Sequence, residues 1–251
     1  MKILLINPNT TQEFTDRVDK ISRQFAAIGT EVTAMTPAYG PRSIESIYDE
    51  LLSSAGTLEV ALTNIEKYDG FIIACYSDHP TVYALREVTD KPVLGIAEAS
   101  MLMACMLGHR FSIVTTNKEW EPLLNDAVQH FGLTARCASV RSTGMPVLAL
   151  ESASPEETYQ MILKASQAAL QQDGAEVICL GCAGMAGLDK QLEKDLQVPV
   201  IDGVIAALKL MEGMIGYGIR TSKRNAYATP GAKELVGLDP LFDEPYKKHN
   251  S

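Results

Sequence analysis

The chain has 251 residues, 46% of them hydrophobic and 21% charged, enough to bury a substantial core in one large domain or in two lobes of ~125 residues each. Its 31 acidic and 22 basic side chains leave a formal net charge of −9, which argues against a broad electrostatic grip on nucleic acid or on an anionic membrane surface. No run reaches the ~18–20 apolar residues that a bilayer span needs, and the opening Met1-Lys-Ile-Leu-Leu-Ile6 is too short for a signal core and runs straight into Asn7-Pro8-Asn9.

Apolar runs rich in strand-forming residues alternate with segments of helical period, the pattern of a mostly parallel sheet. In chain order, a strand over 2–7 leads to a helix over 11–28, strand 31–35 to helix 44–66, strand 70–75 to helix 80–89, and strand 92–96 to helix 98–107. The alternation then continues with 111–115 and 118–130, 135–140 and 155–172, 176–181 and 185–195, and 199–201 and 203–215. Thr10 and Asn117 are N-cap residue types, Asp202 is read as a cap, and Ser154-Pro155-Glu156-Glu157 combines a cap, a proline at the first helical position and acids in the first turn. The five cysteines form an odd, sparse set, read as thiols in a reducing cytoplasm.

The alternation contains an internal repeat. Asp69-Gly-Phe-Ile-Ile-Ala-Cys75 and Ala175-Glu-Val-Ile-Cys-Leu-Gly-Cys182 are apolar strands that end at a cysteine, and a Pro-Val pair begins 17 positions after each cysteine, at Pro92 and at Pro199. Equal order and spacing predict an α/β fold of two pseudo-symmetric lobes, each a mostly parallel sheet flanked by helices, with the active site in the cleft between them. The expected lobes are 1–96 plus about 206–225, then 97–205, followed by a C-terminal arm over 226–251. In such sheets ligands bind beyond the carboxyl ends of the strands, where both cysteines lie, so one cleft would receive a thiol from each side.

Two thiols on opposite faces of a substrate are what inversion at a stereogenic carbon needs, one to take the proton and one to return it. A strand-to-helix turn, with its backbone N–H groups and helix dipole, is expected to lower a thiol pKa from its usual value near 8.5. The matched spacing singles out Cys75 and Cys182; Cys105 and Cys137 lie in apolar contexts and read as core. The pair Cys179-x-x-Cys182 has the spacing of a redox dithiol or half a zinc site, but alternation turns Cys179 toward the core.

Ile6-Asn-Pro-Asn-Thr10, Gly40-Pro41-x-Ser43-Ile44-Glu45-Ser46, Cys75, Phe111-Ser-Ile-Val-Thr-Thr116 and Leu180-Gly-Cys-Ala-Gly-Met185, in that order and spacing, resemble the hydantoin and allantoin racemases of the aspartate/glutamate racemase superfamily. The resemblance covers residues 1 to about 225. It implies a cofactor-independent, two-base racemase in which Cys75 and Cys182 are the acid/base pair, with neither pyridoxal phosphate nor metal. Amino-acid racemases of the superfamily usually carry Cys-Asn-Thr at each catalytic position; this chain has Cys75-Tyr76-Ser77 and Cys182-Ala183-Gly184, which favours a neutral cyclic ureide such as a 5-substituted hydantoin or allantoin. The chain also reads Asp78-His79-Pro80 where many hydantoin racemases carry Asp-Pro-Gly.

Further candidates have two readings each. Asn7 and Asn9 offer amides to a ring or form a turn and cap, and the resemblance favours substrate contact. Thr115 and Thr116 offer hydroxyls to the cleft or cap the next helix; Pro41, Ser43, Ile44 and Tyr48 close over the substrate or form a loop-to-helix junction. Tyr76, Ser77, His79, Ala183 and Gly184 flank the thiols, with a capping or surface role as the other reading of His79. His109, His130 and His249 read as structural or solvated. A superfamily decarboxylase would need only one cysteine, and a noncatalytic sensor would need neither. The arm, dotted with Leu235-Val236 and Leu241-Phe242, predicts a homo-oligomer.

Overall fold

The computed structural model describes residues 1–152 and 154–247, so His249 lies outside the described residues. Two parallel sheets of four strands form the frame. The first contains β1 (Lys2–Ile6), β2 (Glu31–Met35), β3 (Gly70–Ile73) and β4 (Val93–Gly95) in the order β2-β1-β3-β4. The second contains β5 (Phe111–Thr115), β6 (Cys137–Ser142), β7 (Val177–Leu180) and β8 (Val200–Asp202) in the matching order β6-β5-β7-β8. Central strands are buried on both faces, Ile3 to Ile6 and Val177 to Leu180 being almost wholly inaccessible, as expected where helices cover a parallel sheet.

The helices are α1 (Gln12–Phe25), α2 (Ile47–Thr63), α3 (Pro80–Val88), α4 (Ile96–Leu107), α5 (Trp120–His130), α6 (Ala149–Ser152), α7 (Pro155–Asp173), α8 (Asp189–Leu196) and α9 (Gly203–Tyr217), with the short α10 (Glu244–Lys247) in the tail. No helix of the described residues is long and apolar enough to cross a membrane. Two helices change sides: α4 follows β4 of the first sheet yet packs on β7 and β8 of the second, while α9 follows β8 and packs on β3 and β4 of the first. They lie against each other through small residues, Ala97, Ala104, Ala206 and Ala207 among them, all buried. A Cβ on Gly203 would stand 3.0 Å from the Ile96 carbonyl oxygen, so the two helix starts approach as closely as a glycine allows.

Of the four expected caps, two differ from the sequence reading and two hold. Thr10 is not the cap of α1: that place falls to Thr11, and the two threonine hydroxyls instead donate to the Pro41 and Arg42 carbonyls. Asn117 is not the cap of α5: that place falls to Glu119, which makes no side-chain capping bond, and the Asn117 amide instead donates to Glu45 Oε2 at 3.2 Å. Ser154 does cap α7, accepting from Glu157 N, and Asp202 caps α9, accepting from Val204 N and Ile205 N. The tail runs back over its own chain, where Lys223 Nζ donates to the Arg86 and Glu87 carbonyls and Arg86 Nη1 donates to Tyr227 Oη.

His79 caps α3. Its Nδ1 accepts from Thr81 N at 3.3 Å, so the ring proton sits on Nε2, which faces Ser53 Oγ at 3.0 Å. Burial lowers its pKa to about 4. The unfolded chain therefore takes up this proton first as pH falls, and the stability tied to the neutral ring, complete above about pH 6.5, is lost between there and pH 4. His79→Asn keeps a capping oxygen without the titration. Its urea midpoint is expected to fall less between pH 7 and pH 5 than that of the unaltered chain; equal falls would contradict the buried neutral histidine.

Candidate active site

The paired cysteines occupy equivalent places. Cys75 follows β3 by two residues and Cys182 follows β7 by two, each at the carboxyl end of a strand next to its sheet's first strand. Both line one cleft, which encloses about 460 Å3 of empty space counting its open mouth. Gly181 lets β7 end against β5, since a Cβ there would meet Val114 O at 2.8 Å and Ile113 Cγ2 at 2.9 Å. Tyr76 fixes the first thiol loop by pairing its hydroxyl with Ser100 Oγ of α4 at 2.7 Å.

The loop after β1 brings two amides to the same cleft in opposite senses. Asn7 Nδ2 donates to Asn9 Oδ1, Thr11 O and Thr15 Oγ1, so its nitrogen is committed and its carbonyl oxygen is what it can offer a ligand. Asn9 Oδ1 also accepts from Thr11 N at 2.9 Å, which leaves the Asn9 nitrogen as its donor. Thr10 and Thr11 stitch this loop to the Gly40–Ser46 segment and thereby set Ile44 over the cleft.

Of the other sequence candidates, Tyr76, Thr116, Ala183 and Gly184 line the cleft. Thr115 does not; it is buried and donates to Gly181 O at 3.0 Å. Pro41 and Ser43 sit outside the lining, the first accepting from Thr10 and the second donating to Glu45 Oε1, and Tyr48 projects from α2 with 69% of its surface exposed. His79 lies behind the lining with both ring nitrogens engaged, and Ser77 stands beside Cys75, donating to its Sγ at 3.3 Å. The structure adds Phe14, Trp120 and Val147, an apolar set drawn from three separate elements. Glu50, buried in the first turn of α2, also faces Cys75.

Polar contacts join the two halves around this opening. Arg17 of α1 donates to Gly184 O, Asn117 reaches Glu45, and His130 at the end of α5 pairs with Asp78 of the first thiol loop. His130 and His109 are otherwise solvent-exposed.

Burial pushes the Cys75 thiol up, the Glu50 carboxyl and Cys182 push it further, and only the Ser77 hydrogen bond favours the thiolate. This reverses the lowering expected from a strand-to-helix turn. Helix α3 begins only at Pro80, and its Thr81 N–H is spent on His79 Nδ1 rather than offered to the thiol. Cys179 is wholly buried among core side chains and is raised to about 12, while Cys182 lines the cleft, so the Cys-x-x-Cys spacing does not make a dithiol. Cys137 is buried and raised to about 11; Cys105 is only partly buried against the core.

Residues 3–211 match the family model described as Asp/Glu/Hydantoin racemase. The chain is 45% identical over 238 residues to the hydantoin racemase of Pseudomonas sp. (strain NS671), covering 94% of this chain and 95% of that one. Its fold is similar to the crystal structure of allantoin racemase from Pseudomonas fluorescens, with a TM-score of 0.91 at 40% identity over 94% of this chain and 100% of that one. Allantoin racemase from Klebsiella pneumoniae gives 0.90 at 40% identity, covering 94% and 96%. With the family matched over most of its length and relatives above 40% identity along nearly all of it, this chain belongs to the Asp/Glu/Hydantoin racemase family.

Proposed function

We propose that this racemase inverts the C5 carbon of 5-substituted hydantoins, allantoin included, with Cys75 and Cys182 as a two-base pair and with neither pyridoxal phosphate nor metal. The observation that carries the reading is the meeting of two thiols, from equivalent ends of two matching sheets, in one cleft. One thiolate takes the C5 proton while the thiol from the other sheet protonates the opposite face, and the roles exchange with the handedness of the substrate. Loss of that proton leaves an enolate spread into the ring carbonyl, which hydrogen-bond donors at the cleft stabilise.

The Asn7 carbonyl and Asn9 amide, an acceptor beside a donor, complement a ring that presents N–H beside C=O. Thr116, Ile44, Tyr76, Ala183 and Gly184 complete the proposed contacts. No Asn-Thr pair follows either cysteine to grip an α-carboxylate, which sets amino acids behind a neutral ring. The proposed lobes are 1–96 with about 206–225, and 97–205, joined where α4 and α9 change sides. A cytoplasmic setting belongs to the same proposal and agrees with five thiols and no disulfide; ready extraction from washed membranes and a reduced state in cells would be its readout.

Two measurements test this reading. Single enantiomers of allantoin, a 5-alkylhydantoin, aspartate and glutamate are each incubated with EDTA-treated protein and followed by circular dichroism. Decay is expected for a hydantoin-class substrate, and decay for the amino acids alone would overturn the proposal. Val236 and Leu238 of the arm are exposed, 86% and 60%, and a homo-oligomer is expected to cover apolar surface of this kind; light scattering at the mass of a single chain would contradict it.

A further inference from the structure

A ring bound between two halves is held well only if the walls that each half contributes stand at a fixed separation. One hydrogen bond beside the cleft links two of those walls. Asn117 Nδ2, in the turn after β5, donates to Glu45 Oε2, in the segment before α2, at 3.2 Å. Ile44 precedes Glu45 and Thr116 precedes Asn117 in the chain, and both of these neighbours line the cleft.

Each end of the bond is anchored in its own half. Glu45 Oε1 accepts from Ser43 Oγ at 2.7 Å, Glu45 N donates to Asp49 Oδ2 at 3.0 Å, and Thr10 and Thr11 tie the segment to the loop after β1. On the other side, Thr116 O accepts from Gly144 N at 2.9 Å and from Thr143 Oγ1 at 3.2 Å, while Trp120 N donates to Asn117 O at 3.2 Å. The Asn117 amide has its orientation fixed from both ends: its nitrogen meets a carboxyl oxygen, and its Oδ1 accepts from the Thr116 hydroxyl at 3.0 Å. That hydroxyl has one proton and has spent it, so what Thr116 Oγ1 can offer a bound ring is an acceptor. A cyclic ureide presents ring N–H groups that suit such an acceptor, whereas a carboxylate presents none.

We propose that Asn117 is a positioning residue for the bound ring: it clasps Glu45 to hold Ile44 over the cleft and turns the Thr116 hydroxyl into an acceptor for a ring N–H. The proposal rests on the cyclic-ureide reading of the cleft. Neither Asn117 nor Glu45 lines the cleft, so the clasp acts on binding and not on the proton transfers.

The test exchanges donor and acceptor. Asn117→Asp removes the donor and sets a carboxylate against Glu45; Glu45→Gln keeps an acceptor for Asn117; the double variant pairs an amide with a carboxylate again and so restores one N–H···O bond. With a hydantoin-class substrate, Asn117→Asp is expected to raise KM about 5- to 20-fold with kcat within about threefold, the pattern for lost binding common to ground and transition states. Glu45→Gln is expected to lose less, and the double variant to recover most of what Asn117→Asp lost. Thr116→Val, which removes the oriented acceptor, is expected to raise KM by a similar factor, and an unchanged KM there would overturn the part given to Thr116. A second readout needs no substrate. Arg42 is exposed in the clasped segment, and trypsin cleavage after it, followed by peptide mass, reports how often the segment opens. Cleavage is expected to be about 3- to 10-fold faster in Asn117→Asp and to return toward the unaltered rate in the double variant. A double variant no better than Asn117→Asp, a loss confined to kcat, or an unmoved cleavage rate would overturn the clasp. If Asn117→Asp does not fold, as judged by its urea midpoint, Asn117→Ala, Glu45→Ala and their double variant decide: a KM loss in the double no larger than the worse single one supports the clasp, and additive losses overturn it. If the unaltered chain turns over no hydantoin, the reading of the cleft fails, and the Arg42 cleavage rates still decide whether Asn117 clasps the segment.

Discussion

The packing of α4 against α9 holds everything else in register. Each helix leaves one sheet and covers the other, and small residues at the crossing bring their first turns into backbone contact at Ile96 and Gly203. Both thiol loops are anchored to this pair. Tyr76, next to Cys75, hydrogen-bonds Ser100 of α4, while Asp202, the cap of α9, uses its second oxygen to hold Gly187 N at 2.8 Å in the turn that follows Cys182. Interiors are close-packed and transmit displacement, so a shift at this crossing would move one cysteine relative to the other.

The same burial decides the chemistry. A largely buried thiol beside a carboxyl is a costly place to form a thiolate, and Cys75 is held toward its protonated form. On the proposed mechanism this cost has a use, because a thiolate that is hard to form is a stronger base, better matched to a weakly acidic C5–H.

The fold was legible in the chain because its determinants are local and repeated. Strand runs, the two cysteines and the two Pro-Val pairs recur at one spacing, and the sheets they form share one strand order. The caps were partly misread at Thr10 and Asn117, where hydroxyls and an amide that suit a helix end are instead spent on tying loops together. The lining of the cleft was legible where it follows strand ends, at Cys75, Cys182, Asn7 and Asn9, and obscure where tertiary packing delivers a side chain. Phe14, Trp120 and Val147 come from α1, α5 and the segment after β6, and no spacing links them. Glu50, in the first turn of α2, is buried only by tertiary packing, whereas Tyr48, two residues earlier, is turned outward. The Cys75 shift runs opposite to expectation for the same reason: a turn is visible in sequence, but the burial and the carboxyl around it are not.

The central claim is that two thiols act on opposite faces of one carbon. Its most direct test is hydrogen exchange at C5 in deuterium oxide with Cys75→Ser and Cys182→Ser. Each variant should fail to invert either enantiomer, while the surviving thiol, where it can trade its proton with solvent, exchanges C5 hydrogen with retention in one enantiomer, and in opposite enantiomers for the two variants. If either variant still racemises both enantiomers at the rate of the unaltered chain, the paired-thiol account is contradicted.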